Sequence, residues 1–116
     1  MVADVLEATF YEITQLIKLF SKRGSSYFNI CLTDGKRLIA SRYCSSKKIV
    51  PESMHYSLGS RFVAREGYHM LQEEGRHDCV LITSEKLTNF EAEWHDVPAN
   101  HLLLIDEGLT LQLRRL

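Results

Sequence analysis

Proline is scarce in this chain, at two residues, and its six glycines are scattered. No glycine-rich phosphate-cradling loop can therefore be formed. No serine sits in a Gly-x-Ser-x-Gly elbow, since Leu58-Gly59-Ser60-Arg61 does not match that pattern. No apolar run approaches the ~20 residues that cross a bilayer. The first residues do not read as a signal peptide, because Asp4 and Glu7 interrupt the apolar positions and no basic segment precedes them. Excess charge of either sign is also missing. Fourteen Lys and Arg stand against fifteen Asp and Glu, for a net charge of −1, which removes the electrostatic case for nucleic acid or an anionic membrane as partner. The three cysteines, Cys31, Cys44 and Cys79, are far apart and include no Cys-x-x-Cys. They read as free thiols in a reducing cytosol.

What remains is an ordinary globular composition, 45% hydrophobic and 25% charged over 116 residues, which predicts one domain spanning 1–116. Residues 3–21 carry Leu6, Phe10, Ile13, Leu16, Ile17 and Phe20 at helical steps, so an amphipathic helix with one apolar face is expected there. Gly24 is placed to end it. Strands are expected over 27–32 and 37–43, joined by a turn at Asp34-Gly35. The segment 44–53 reads as loop. A strand over 55–65 is marked by Gly59 as a bulge or close backbone approach. A turn follows at Glu66-Gly67, then a short strand over 68–72 and a loop over 73–77. Val80–Thr83 reads as a strand buried on both faces. Residues 85–93 read as polar with one helical turn, and Trp94–Val97 as a further strand. A last hairpin joins 101–105 to 110–113. The fold class is α+β, with a mostly antiparallel sheet and one long N-terminal helix. One helix leaves one face of that sheet bare, so self-association is expected.

The chemistry-bearing side chains form no recognisable constellation. His69 and His77 flank Glu73 and Glu74, with Cys79 beyond, but the spacing fits no common zinc pattern and a solvated loop accounts for it. Cys31 and Cys79 lie in apolar runs and are expected to be buried and inert. Cys44 borders a polar loop and is expected to be the reactive thiol. Glu91 and Glu93 sit in a polar stretch. Trp94 is expected to pack the sheet edge, with His95 toward solvent. Asn100-His101 is assigned a structural role. No catalytic, cofactor-binding or metal-ligating residue is assigned, and no cofactor.

Three stretches, taken in order, resemble a known family. They are Tyr27–Tyr43, His55–Phe62, and a run from Val80-Leu81-Ile82-Thr83-Ser84-Glu85 through Trp94–His101 to Leu104-Ile105-Asp106. Together they resemble the later half of the small class-II glutamine amidotransferases. Within these they are most similar to the branch holding the fungal glutathione-degradosome amidotransferase and its bacterial relatives. The resemblance implies half of an N-terminal-nucleophile (Ntn) hydrolase α-β-β-α sandwich. It implies chemistry in which an N-terminal cysteine attacks a glutamine or γ-glutamyl amide, its own amino group serves as base, and an Asn-Gly pair holds the oxyanion. In the degradosome branch it further implies a metallopeptidase-like partner and glutathione cleavage.

The departures are specific. Residue 2 is Val2, and Asn29, Asn89 and Asn100 are followed by Ile, Phe and His. No catalytic residue carries over. Ser84-Glu85 matches a Ser-Glu at a strand end and reads as a structural turn, while the segment Tyr56–Arg61 is assigned no role toward a ligand. The expected partners are a missing N-terminal amidotransferase half or a second copy of the chain. An alternative is a stand-alone, non-catalytic binding or regulatory domain that kept the fold.

Overall fold

The computed structural model describes residues 2–22, 24–64, 67–75 and 77–116. Glu66 of the expected turn at Glu66-Gly67 lies outside them.

The helix α1 spans Val2–Phe20. No glycine or proline interrupts it, and Asp4 in its first turn and Lys18 in its last suit the helix dipole. Ala3, Leu6, Phe10 and Thr14 follow at three- and four-residue steps and form the buried stripe. The expected apolar face divides along its length. Leu6 and Phe10 pack, whereas Ile13, Leu16, Ile17 and Phe20 are exposed. Length explains the division: nineteen residues rise about 28 Å, while strands of four to five residues reach only about 17 Å.

Beneath α1 lies a four-stranded antiparallel sheet in the order β1-β2-β8-β9, with β1 at Ile30–Thr33, β2 at Leu38–Arg42, β8 at His101–Ile105 and β9 at Leu111–Arg115. Alternation decides which side chains meet which layer. Ile30, Ile39, Leu102 and Leu104 pack with Leu6 and Phe10 of the helix. Phe10 stacks on Phe28 at 4.8 Å and on Tyr43 at 5.4 Å between ring centroids. On the β9 side, Arg114 Nη2 lies 2.8 Å from both Asp4 Oδ1 and Glu7 Oε2.

Both hairpins of this sheet turn on aspartates. Asp34 Oδ1 accepts from the backbone N–H groups of Lys36 at 2.9 Å and Arg37 at 2.7 Å. These two bonds, the Arg37 one foremost, hold its carboxyl below the usual aspartate value. Gly35 takes φ +88°, which a side chain would resist. Asp106 Oδ1 does the same work between β8 and β9, accepting from Gly108 and Thr110 N–H groups.

The opposite face of this sheet is not bare, contrary to the expectation from one helix. A second sheet, in the order β6-β3-β7, covers it, with β3 at His55–Gly59, β6 at Cys79–Thr83 and β7 at His95–Asp96. Tyr56, Val80 and Ile82 of that sheet pack with Ala40, Leu103 and Ile105 of the first, and Met54 and Val97 complete the core. The layers therefore run helix, sheet, sheet.

At Gly59 the expected single strand over 55–65 breaks into β3 and a separate β4 at Arg61–Ala64. β4 forms a hairpin with β5, Tyr68–Leu71. A Cβ on Gly59 would overlap Met70 Cγ and the carbonyl oxygen of Leu71, so the close approach expected there is present. β6 is half-buried along its whole length rather than buried on both faces, because it is an edge strand. The expected helical turn within 85–93 is a 3-10 turn at Glu91–Glu93.

Candidate functional site

The seam where the two sheets meet gathers the polar groups that the sequence brings together. Arg42, at the end of β2, donates to three backbone carbonyls of the other layer. Its Nε reaches Glu52 O at 2.9 Å, Nη1 reaches Val97 O at 2.6 Å, and Nη2 reaches Pro51 O at 3.2 Å. A planar guanidinium is suited to such a fork. Asn29 adds a bond from Nδ2 to Glu52 O at 2.9 Å. Sequence reasoning gave neither residue a role. The available signal was an arginine closing an apolar strand just before a polar, proline-containing loop.

On the second sheet, His55 stands opposite Thr83 on one side and Asp96 on the other. Its Nδ1 lies 2.6 Å from Asp96 Oδ1, and the imidazole is mostly covered. Such a carboxylate fixes the ring and leaves Nε2 as the free nitrogen. Ser57 lies two positions on, on the same side of β3, with its hydroxyl fully buried. That hydroxyl has no hydrogen-bond partner among the described residues, and the same holds for Thr83 Oγ1. Ser57 is therefore not hydrogen-bonded to the ring of His55, and no Ser-His-Asp relay is assembled.

The thiols fall the other way round from the expectation. Cys44 is buried and Cys31 is exposed, with Cys79 intermediate. Cys31 lies on β1, an edge strand, where an apolar run does not guarantee cover. Cys44 lies in a loop, but Tyr27 bridges to it and its N–H donates to Asn100 Oδ1 at 3.0 Å, so the loop folds inward. Partial desolvation raises the Cys31 thiol above its ordinary value, which keeps the thiolate scarce at neutral pH. Thiol titration of the native protein with peptide mapping should label Cys31 first and Cys44 last, with the Cys31 rate rising as the pH is made more alkaline. Cys44 labelled fastest would contradict this placement.

The remaining sequence-marked residues are held elsewhere in the fold. Trp94 is buried and its Nε1 donates to Thr88 Oγ1 at 2.9 Å, while His95 is exposed and stacks on Tyr56. Asn100 takes φ +57°, and its carbonyl accepts from Leu116 N–H. Ser84 offers its carbonyl to Ser53 Oγ at 2.7 Å. Glu91 pairs with Lys86 and Glu93 lies near Thr88. His69, His77, Glu73, Glu74 and Cys79 do not converge. Among the described residues no three of His, Cys, Asp and Glu come together in a way that could hold a metal ion.

Comparison with known proteins supplies what this geometry does not. Over 88 residues the chain is 35% identical to a protein of Saccharomyces cerevisiae named Probable glutamine amidotransferase DUG3, an alignment covering 74% of this chain and 25% of that protein. The chain is related to the glutamine amidotransferases. It spans about a quarter of the length of the curated relative it matches. No family model and no solved structure matches it. Among the described residues no helix is long and apolar enough to cross a membrane.

Proposed function

We propose that these 116 residues form the non-catalytic, carboxy-terminal portion of a class-II, Ntn-type glutamine amidotransferase domain that works in the cytoplasm. The reaction is hydrolysis of glutamine or of a γ-glutamyl amide, glutathione being one such substrate. The nucleophilic cysteine, its amino-group base and the Asn-Gly oxyanion donors come from outside these residues. A complementary amidotransferase segment is the partner that supplies them, and a metallopeptidase-like subunit is a further partner in the glutathione reaction.

The observation that carries this reading is the kinship to a glutamine amidotransferase in a chain where, among the described residues, no thiol is paired with a base. Layers ordered helix, sheet, sheet support it, since they correspond to three layers of an α-β-β-α sandwich. Acyl transfer needs a nucleophile with an adjacent base and preorganised donors for the oxyanion. His55 with Asp96 is a dyad of this type, and the serine nearest in sequence on its face is sealed in the core.

Reconstitution tests the reading. The part of the Saccharomyces relative outside the matched segment is mixed with this chain, and glutamate release from glutamine and from glutathione is measured. Release should require both components and be absent with either alone. Equal release by the added part without this chain would sink the proposal.

A further inference from the structure

The four-stranded sheet ends differently at its two edges. On the β9 side the strand carries Arg114 and Arg115, and Arg114 is held by Asp4 and Glu7 of α1 at 2.8 Å. Charges of this kind guard an edge against further pairing. On the β1 side the strand is Ile30-Cys31-Leu32-Thr33, with no charge and no proline. Among the described residues no strand but β2 pairs with it. Phe28 N–H donates to Tyr43 O at 2.9 Å and Ile30 N–H to Ser41 Oγ at 3.3 Å, both toward the β2 side. Alternation along the strand therefore turns the main-chain groups of Cys31 and Thr33 outward, away from β2.

The helix above is open on the same side. At about 100° per residue, Asp4 and Glu7 lie across α1 from Phe20. Since those two reach β9, the Phe20 flank faces the β1 edge. Val2 lies in line with Phe20 and borders one groove with Leu32 of β1. Val2, Val5, Thr9, Ile13, Leu16 and Phe20 make up this flank, all of them exposed, within an arc of about 80°. No charged residue stands within that arc. Thr9 Oγ1 donates to the Val5 carbonyl at 2.7 Å, so its hydroxyl is satisfied within the helix. The opposite flank carries Asp4, Glu7, Tyr11 and Lys18. One side of the helix–sheet layer is thus polar and closed, and the other apolar and open in both the helix and the sheet.

We propose that the open side receives an α/β element of the complementary amidotransferase segment, a strand that pairs with β1 and an apolar helix that lies against the α1 stripe. The inference rests on the amidotransferase reading, which supplies the occupant, and adds where and how that occupant docks. The chain matches a quarter of its Saccharomyces relative, so the larger part of that protein lies outside the match. An added strand would satisfy the outward main-chain groups of Cys31 and Thr33, as strand addition at a free edge does. An apolar helix beside it would take Leu16 and Phe20 out of water. A strand alone leaves the stripe wet, and a helix alone leaves the edge unpaired. Because both openings face one way, a single two-layer element closes them together.

Amide hydrogen exchange read by mass spectrometry tests the docking. The chain is prepared alone and co-expressed with the part of the Saccharomyces relative outside the matched segment. In the isolated chain the Cys31 and Thr33 amides should exchange freely, and in the complex they should slow by about tenfold or more. Phe20→Asp should weaken the complex by about tenfold or more and leave the circular dichroism of the chain unchanged, since Phe20 is 88% exposed. Tyr11→Asp, an exposed site on the β9 flank, should leave the complex as it is. A complex that releases glutamate but neither slows the β1 amides nor responds to Phe20→Asp would overturn the docking and leave the amidotransferase reading standing. A complex slowed at β1 that releases no glutamate would support the docking and sink that reading. Slow exchange of Cys31 and Thr33 in the isolated chain would overturn the docking, because the edge would already be occupied by a second copy. Absence of any complex would overturn both.

Discussion

Replacing Leu103 with alanine will cost the fold about 2–5 kcal/mol. Leu103 is fully buried on β8, an interior strand of the four-stranded sheet, and it faces the second sheet in the core with Met54, Val97 and Ile105. Removing its isobutyl group leaves a cavity between two sheets whose backbones are held in register on both sides of β8, so the walls cannot close on it. Domains of this size carry only about 5–15 kcal/mol in total, so the loss is a large part of the reserve. Leu113 supplies the internal control. It stands directly opposite Leu103 in the register, on the edge strand, and is 40% exposed. Leu113→Ala should cost less than about 1 kcal/mol. Urea unfolding of the two variants gives the comparison. Equal losses would mean that the second sheet does not cover this face.

The fold was legible where local chemistry decides it. The three- and four-residue spacing places the helix at 3–21, and α1 spans Val2–Phe20. The Asp-Gly at Asp34-Gly35 and the Asp-Glu-Gly at Asp106–Gly108 mark both hairpins of the first sheet, because an aspartate that accepts two backbone N–H groups makes its turn without help from elsewhere. What failed to read were the long-range decisions. Ile30-Cys31-Leu32 looks like a core strand, but whether β1 lies at an edge depends on what pairs with it 70 residues away or not at all. Cys44 looks exposed until Asn100 and Tyr27 close over its segment. The break at Gly59 turned one expected strand into members of two sheets, and the pairing of β3 with β6 and β7 rather than with the first sheet built the layer that covers the face expected to be bare. Arg42 was invisible as a clamp because its three acceptors are backbone carbonyls, which carry no sequence signature.

Little of the candidate site was legible, because its polar groups come together only through strand pairing. The His55–Asp96 pair was not anticipated, since 41 residues separate its members and only the pairing of β3 with β7 brings them together. The family itself was read from ordered stretches along the chain rather than from any active-site residue, and the kinship to a glutamine amidotransferase agrees with that reading.

Glutamate release by the isolated chain, from glutamine and from glutathione, should not rise above the uncatalysed blank. An acyl-transfer site loses orders of magnitude without its nucleophile and about a hundredfold or more for each missing oxyanion donor, and these residues offer neither an Asn-Gly pair nor an activated thiol. The Cys31 thiol is held above its ordinary value, so its thiolate is rare at neutral pH. Cys44 is sealed from substrate. The measurement is an enzyme-coupled glutamate assay on the purified chain, run beside Cys31→Ser and Ser57→Ala variants. Three indistinguishable blanks are expected. Turnover in the native chain that disappears in either variant would contradict this, because the chemistry would then reside in these 116 residues.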